Sequence, residues 1–151
     1  MIRGFPDLPP VWALGAAAVA AGLARWLPVA PLPRAPGGWL VGAGVALAGW
    51  AATWFSRKRT TIKPHREPTA LIVEGPYRLN RNPTYTGMAL VLFGWAFLLG
   101  AASALVPAAV FPWLIGRRFL PGKEAALRRR FGAEAERYLA ATRRWYLIAK
   151  A

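Results

Sequence analysis

The sequence predicts an all-α integral membrane protein with about four transmembrane helices, a long cytosolic loop and a C-terminal cytosolic amphipathic helix. Apolar residues make up 56% of the 151. They gather in long blocks, which suits a bilayer better than a soluble core. The formal net charge is +14, from 20 Lys plus Arg against 6 Asp plus Glu, yet the charges avoid those blocks and crowd residues 56–85 and 117–151. A basic soluble chain would suggest nucleic acid. This distribution is instead the positive-inside pattern of a membrane protein, so no nucleic-acid partner is expected. There is no cysteine and one histidine, His65. Disulfides, a thiol nucleophile and the usual zinc sites are thereby excluded, and no metal is expected. The length suits one domain over residues 1–151.

Residues 1–10 carry Pro6, Pro9 and Pro10 and form a short lead-in. The first helix is placed at about residues 11–30. Arg25 and Trp26 lie near its far end, where an arginine snorkels and a tryptophan sits at head-group level. No small-residue cleavage site is clearly placed after it, so it reads as a retained helix. PLPRAPGG, residues 31–38, is an outer turn. The second helix, about 39–56, carries no charge before its end. The Gly38–Gly42 GxxxG pair, with Gly44 and Gly49, predicts close packing against the first helix. No strand precedes these glycines and no acid follows at the right distance, so a Rossmann site is excluded.

The loop, about 57–82, carries Arg57, Lys58, Arg59, Lys63, Arg66, Arg78 and Arg81 against Glu67 and Glu74, and is placed in the cytosol. Pro64, Pro68 and Pro76 keep it from being one helix. Its length points to function or disorder, and the apolar run Leu71, Ile72, Val73 together with Tyr77 argues for order. Residues 86–116 would make a single helix of about 46 Å against a hydrocarbon core of roughly 30 Å. Gly100, Ser103, Pro107 and Pro112 divide them into a hairpin of helices at about 83–100 and 103–118. The tail, 119–151, holds a helix over 123–139, with Leu127, Phe131 and Tyr138 on one face and Arg128, Arg129 and Arg130 largely off it. An amphipathic helix lying on anionic lipid explains that pattern, and so does a cover over a pocket. Both termini and the loop then share the cytosolic side. The Ala, Gly and Arg content hints at a bacterial source and hence an inner membrane.

The stretch GPYRLNRNPTYTGM, residues 75–88, joins the loop to the third helix. Asn82 suits an N-cap and Pro83 the first helical position. Free amides at that helix start, beside Arg78, Asn80 and Arg81, make an anion site at a membrane surface. A capped spanning helix with basic anchors and an interfacial Tyr85 reads from the same residues.

GPYRLNRNPTYTG resembles the signature of the isoprenylcysteine carboxyl methyltransferase and phospholipid methyltransferase superfamily, in which GPY or GPF and an arginine precede Arg-His/Asn-Pro-x-Tyr-x-Gly. TTIKPHREPTALIVEGPY resembles the lead-in of bacterial members. KEAALRRRFGAEAERYLAATRRW resembles the closing motif, with Glu124, Leu127, Phe131, Gly132, Tyr138 and Arg144 on matching positions. The likeness covers about residues 60–146. Lys123 stands where a first glutamate is usual, Ala135 for a tyrosine, Arg143 for a proline and Asn82 for histidine.

The resemblance implies S-adenosylmethionine as cofactor, a pocket built from loop, last two helices and tail, and a lipid or prenylated acceptor entering from the bilayer. It implies Arg81, Asn82 and Pro83 at the cofactor carboxylate, Glu124 at its ammonium or ribose, and Tyr85 and Tyr138 at the adenine or sulfonium. His65 is a further candidate there, against the alternative of a solvated loop residue. Arg144 and Arg78, with Arg128 as another option, would hold an acceptor carboxylate. Such an acceptor needs no base because it is already ionised, and acids are scarce here. Carboxyl O-methylation of the isoprenylcysteine type is therefore the first expectation. Phospholipid N-methylation, a sterol-reductase-like enzyme using NADPH, and a non-catalytic lipid- or partner-binding protein are the alternatives.

Overall fold

The computed structural model describes residues 7–60 and 66–145. His65 lies outside the described residues. Four long helices run antiparallel: α1 (Pro9–Trp26), α2 (Ala35–Arg57), α3 (Pro83–Leu99) and α4 (Leu105–Arg118). Two shorter helices, α5 (Leu120–Phe131) and α6 (Ala133–Ala141), follow at the end where α2 finishes and α3 begins. No strand is formed among the described residues. The first two helices start four residues or fewer before the predicted positions. The predicted tail helix is two helices, because Gly132 adopts φ +50° and breaks it.

α3 sits at the centre. It packs on α2 along one side and on α1 and α4 along the other. The α2–α3 contact is a seam of glycines seven residues apart. A Cβ on Gly37 would stand 2.7 Å from the Gly94 carbonyl oxygen, and one on Gly44 would stand 2.5 Å from that of Gly87. Val41 and Ala48 fill the turns between. This corrects the expectation for the Gly38–Gly42 pair. A Cβ on either would meet nothing within 4 Å, and α2 presses on α3 rather than α1. The spacing of seven puts Gly37, Gly44 and buried Ala51 on one line of the helix, whereas Gly38 and Gly42 fall on its outer face.

On the other side Tyr85, Ala89, Leu92, Ala108, Phe111 and Ile115 form the main apolar core. α3 ends at Gly100, in the left-handed conformation (φ +76°) that glycine adopts without strain. Its turn is pinned to the α1–α2 link, where the Ala102 amide donates to the Val29 and Ala30 carbonyls. At the opposite end Arg118 pairs with Asp7 at 2.9 Å, bringing the start of α1 beside the end of α4.

The outer surface of the long helices is apolar: Leu14, Val19, Trp39, Val45, Val106, Val110 and Trp113 are all exposed. Tryptophans sit toward both ends, with Trp26 and Trp39 at one and Trp50 and Trp113 toward the other, as at the two interfaces of a bilayer. By length and composition, α2 is the one helix among the described residues able to cross a membrane; α3 is apolar but shorter, at 17 residues.

Candidate functional site

The link from α2 to α3 builds the site. Gly75 turns with φ +58° against the Trp54 indole, which leaves no room for a side chain. Pro76 then starts a 3₁₀ turn, Gly75–Arg78, that buries Tyr77 edge-on to Phe55, with ring centroids 5.8 Å apart. Asn80 is wholly buried. Its carbonyl oxygen accepts from the Asn82 amide at 2.6 Å, and its amide group donates to the Thr86 hydroxyl at 2.6 Å. Asn80 thus organises the entry to α3. Asn82 holds the cap position without making the expected side-chain cap bond. Its side chain works across the chain instead: Nδ2 donates to the Arg144 carbonyl at 3.2 Å, and Oδ1 accepts from Lys123 Nζ at 3.0 Å.

Residues 142–145 lie over this entry as a strap. The Arg81 amide donates to the Arg143 carbonyl at 2.9 Å, and Asn80 and Arg143 form a short parallel bridge. Arg144 makes a two-pronged pair with Glu124, Nε to Oε1 at 3.1 Å and one terminal nitrogen to Oε2 at 2.9 Å. Arg81 reaches the same carboxylate more loosely, at 3.4 Å. Glu124 is 7% exposed, and both its oxygens are engaged by arginine.

Beside this knot lies a cavity of about 90 Å³. The loop (Arg66, Pro68, Leu71, Ile72) forms one wall, the entry to α3 (Arg81, Asn82, Tyr85) another, and Lys123, Leu127 and Tyr138 a third. Tyr138 donates its hydroxyl proton to the Tyr77 carbonyl at 2.9 Å, closing α6 over the 3₁₀ turn.

Of the expected site residues, Arg81, Asn82, Tyr85 and Tyr138 line the cavity. Pro83 is buried at the first position of α3. Glu124 and Arg144 stand behind the lining as an ion pair, and Arg78 points to solvent. Lys123, Tyr77 and Arg66 join the lining without having been singled out for it. Lys123 had a legible signal: four residues before Leu127, it lies on the buried face of its helix.

Electrostatics set this corner apart. Three cations, Arg81, Lys123 and Arg144, surround one carboxylate. Lys123 Nζ donates to two neutral oxygens, the Arg81 carbonyl at 3.1 Å and Asn82 Oδ1 at 3.0 Å. It also lies 5.6 Å from the Tyr85 ring centre. Burial pulls its pKa down to about 8, with the Arg81 charge adding to that pull and Glu124 opposing it. Burial likewise lowers Arg81, against the pull of Glu124. Arg81 Nε is buried without an acceptor. Burial raises the phenols of Tyr77 and Tyr138, so both stay protonated donors. Among the described residues no group of three His, Cys, Asp or Glu could hold a metal ion.

A cationic cavity at one end of an apolar helical bundle is the arrangement of a protein that handles an anionic or amphipathic molecule at a membrane surface. Residues 33–133, about two thirds of the chain, match the family model for phospholipid methyltransferase, and the chain belongs to that family. Its class of activity is therefore methyl transfer to lipid-like substrates at a membrane. No curated protein and no solved structure matches the chain.

Proposed function

We propose that the protein transfers a methyl group from S-adenosylmethionine to the carboxylate of a lipid-tailed acceptor, in the manner of isoprenylcysteine carboxyl methyltransferases. Four helices would cross the inner membrane, with both termini and the cavity on the cytoplasmic side. The observation that carries this reading is the cavity lining. Among the described residues it presents three cations, Arg66, Arg81 and Lys123, and no acid.

The chemistry of the lining fits the cofactor. The unpartnered Arg81 Nε and Lys123 suit a carboxylate, and Tyr85, Tyr138, Ile72 and Leu127 suit an adenine or a sulfonium. At about 90 Å³ the hollow is smaller than the roughly 300 Å³ at which ligand pockets begin. Admitting the whole cofactor therefore requires the hollow to widen. S-adenosylmethionine would supply an electrophilic methyl, the C–S electron pair staying with sulfur as an acceptor oxygen takes the carbon. The residues of the chain need then only bind, orient and exclude water, which is how positioning accelerates a displacement. We assign Arg81 and Asn82 to the cofactor. Glu124 acts on it through Arg81, and Arg144 holds the acceptor or the strap. Arg78, exposed and outside the lining, is the weakest assignment.

A carboxylate is ionised at neutral pH and needs no base. An amine acceptor, as in phospholipid N-methylation, must lose a proton, and the lining holds no carboxylate to take it. Family membership supports methyl transfer over nicotinamide-dependent reduction and over a non-catalytic role. The test is a radiolabelled methyl-transfer assay of the detergent-purified protein against lipid extracts, N-acetyl-S-farnesylcysteine and phosphatidylethanolamine. Base-labile label on the carboxylate probe is expected. Label on phosphatidylethanolamine alone would reverse the choice of acceptor, and absence of S-adenosylhomocysteine binding would end the methyltransferase reading.

A further inference from the structure

We propose that Lys123, together with Arg81, forms a carboxylate seat: a bound carboxylate sits against the Lys123 ammonium and completes a cluster that the chain leaves positively charged. The inference rests on the methyltransferase reading of the cavity and deepens it by naming the residue that selects for the anion.

The charge balance points there. Around the knot stand Arg81, Lys123 and Arg144 with one carboxylate, Glu124, whose oxygens are both taken by the arginines. Other acids are engaged elsewhere: Asp7 with Arg118, Glu74 with Lys58, Glu136 with Arg128. Lys123 spends two of its three donors on neutral oxygens. Arg81 Nε is buried with no acceptor at all. A half-buried ammonium with no carboxylate partner and a buried guanidinium N–H with no acceptor are both costly, and both side chains line the cavity. An anion entering it relieves both at once.

Two molecules of the proposed reaction carry a carboxylate: the amino-acid end of the cofactor and the acceptor. If the acceptor sits there, methylation turns the anion into a neutral ester and the attraction disappears along the reaction. The ammonium then stabilises the bound ground state more than the transition state, so its loss raises KM and raises kcat with it. If the cofactor sits there, affinity for S-adenosylhomocysteine carries the effect.

Titration gives the seat a signature. Lys123 loses its proton through about pH 8, so binding weakens from pH 7 to pH 9.5. The charges acting on it are those of Arg81 and Glu124. The neighbouring phenols, Tyr85, Tyr77 and Tyr138, are neutral at pH 7.

The experiment is calorimetry of the full-length protein in detergent with S-adenosylhomocysteine and, separately, N-acetyl-S-farnesylcysteine, at pH 7 and 9.5. Lys123→Met should weaken one of the two probes about tenfold at pH 7 and flatten its pH dependence. Lys123→Arg should keep the pH 7 affinity and lose the alkaline fall, which a packing role alone would not produce. An effect confined to S-adenosylhomocysteine places the cofactor in the seat, and one confined to the farnesylcysteine places the acceptor there. Unchanged affinities in Lys123→Met at both pH values overturn the seat while leaving methyl transfer intact. Failure of the wild-type protein to bind either probe overturns both.

Discussion

Two hollows among the described residues differ both in extent and in chemistry. The larger, about 730 Å³, lies between α1 and α4. Val11, Val19, Leu23, Val106 and Val110 line it, and the Asp7–Arg118 pair with Trp12 closes one end. The smaller is about 90 Å³ but gathers Arg81, Lys123, Asn82 and two tyrosines. The larger is lined mostly by apolar side chains. The smaller gathers partly buried charge, which occurs at functional sites and in structural ion-pair networks alike.

The largest expected effect tests the charged hollow. Glu124→Gln removes the one carboxylate among three cations. It should cost on the order of 3 kcal/mol of stability by analogy with broken buried pairs. It should also lower S-adenosylhomocysteine affinity at least a hundredfold. Thermal unfolding in detergent and calorimetry check the two arms, and a normal affinity would detach the knot from the cavity. Next, Arg81→Met should weaken the same ligand by about 10- to 100-fold, the worth of one hydrogen bond to a charged group. Unfolding should move less than in the glutamate variant.

A substitution at the glycine seam separates scaffold from cavity. Gly44→Val would press a branched side chain onto the Gly87 carbonyl and should destabilise by about 1–3 kcal/mol. Affinity in the fraction that remains folded should stay near normal. The smallest effect belongs to the large hollow. Gly15 lines it, and a Cβ at that position would meet nothing within 4 Å. Gly15→Leu should change methyl transfer less than twofold and raise stability by a few tenths of a kcal/mol through helix propensity. A strong loss of transfer would make that groove part of the acceptor's path and overturn the contrast between the hollows.

Much of the fold was legible because its elements are separated by strong punctuation. Pro83 opens α3, Gly100 closes it, and the apolar blocks between charged segments become the four long helices. Three features were not. The GxxxG spacing drew attention to Gly38 and Gly42, because a short motif is visible in one helix. The true seam needs the partner helix, since Gly37 and Gly44 matter only when Gly94 and Gly87 face them. Asn82 makes no side-chain cap because the strap and Lys123 claim its side chain, and both come from far along the chain. The charge excess was visible as a number. That one carboxylate would meet three cations emerged only when α5 folded back on the start of α3.

The strap has a consequence for biosynthesis. Asn82 and the carbonyl it grips at Arg144 are 62 residues apart in sequence. A chain made from its N-terminus can insert and pair α2 with α3 well before that second residue leaves the ribosome. The entry to α3 therefore stays uncovered until that residue has been made, so the contacts that close it form after those that pair α2 with α3.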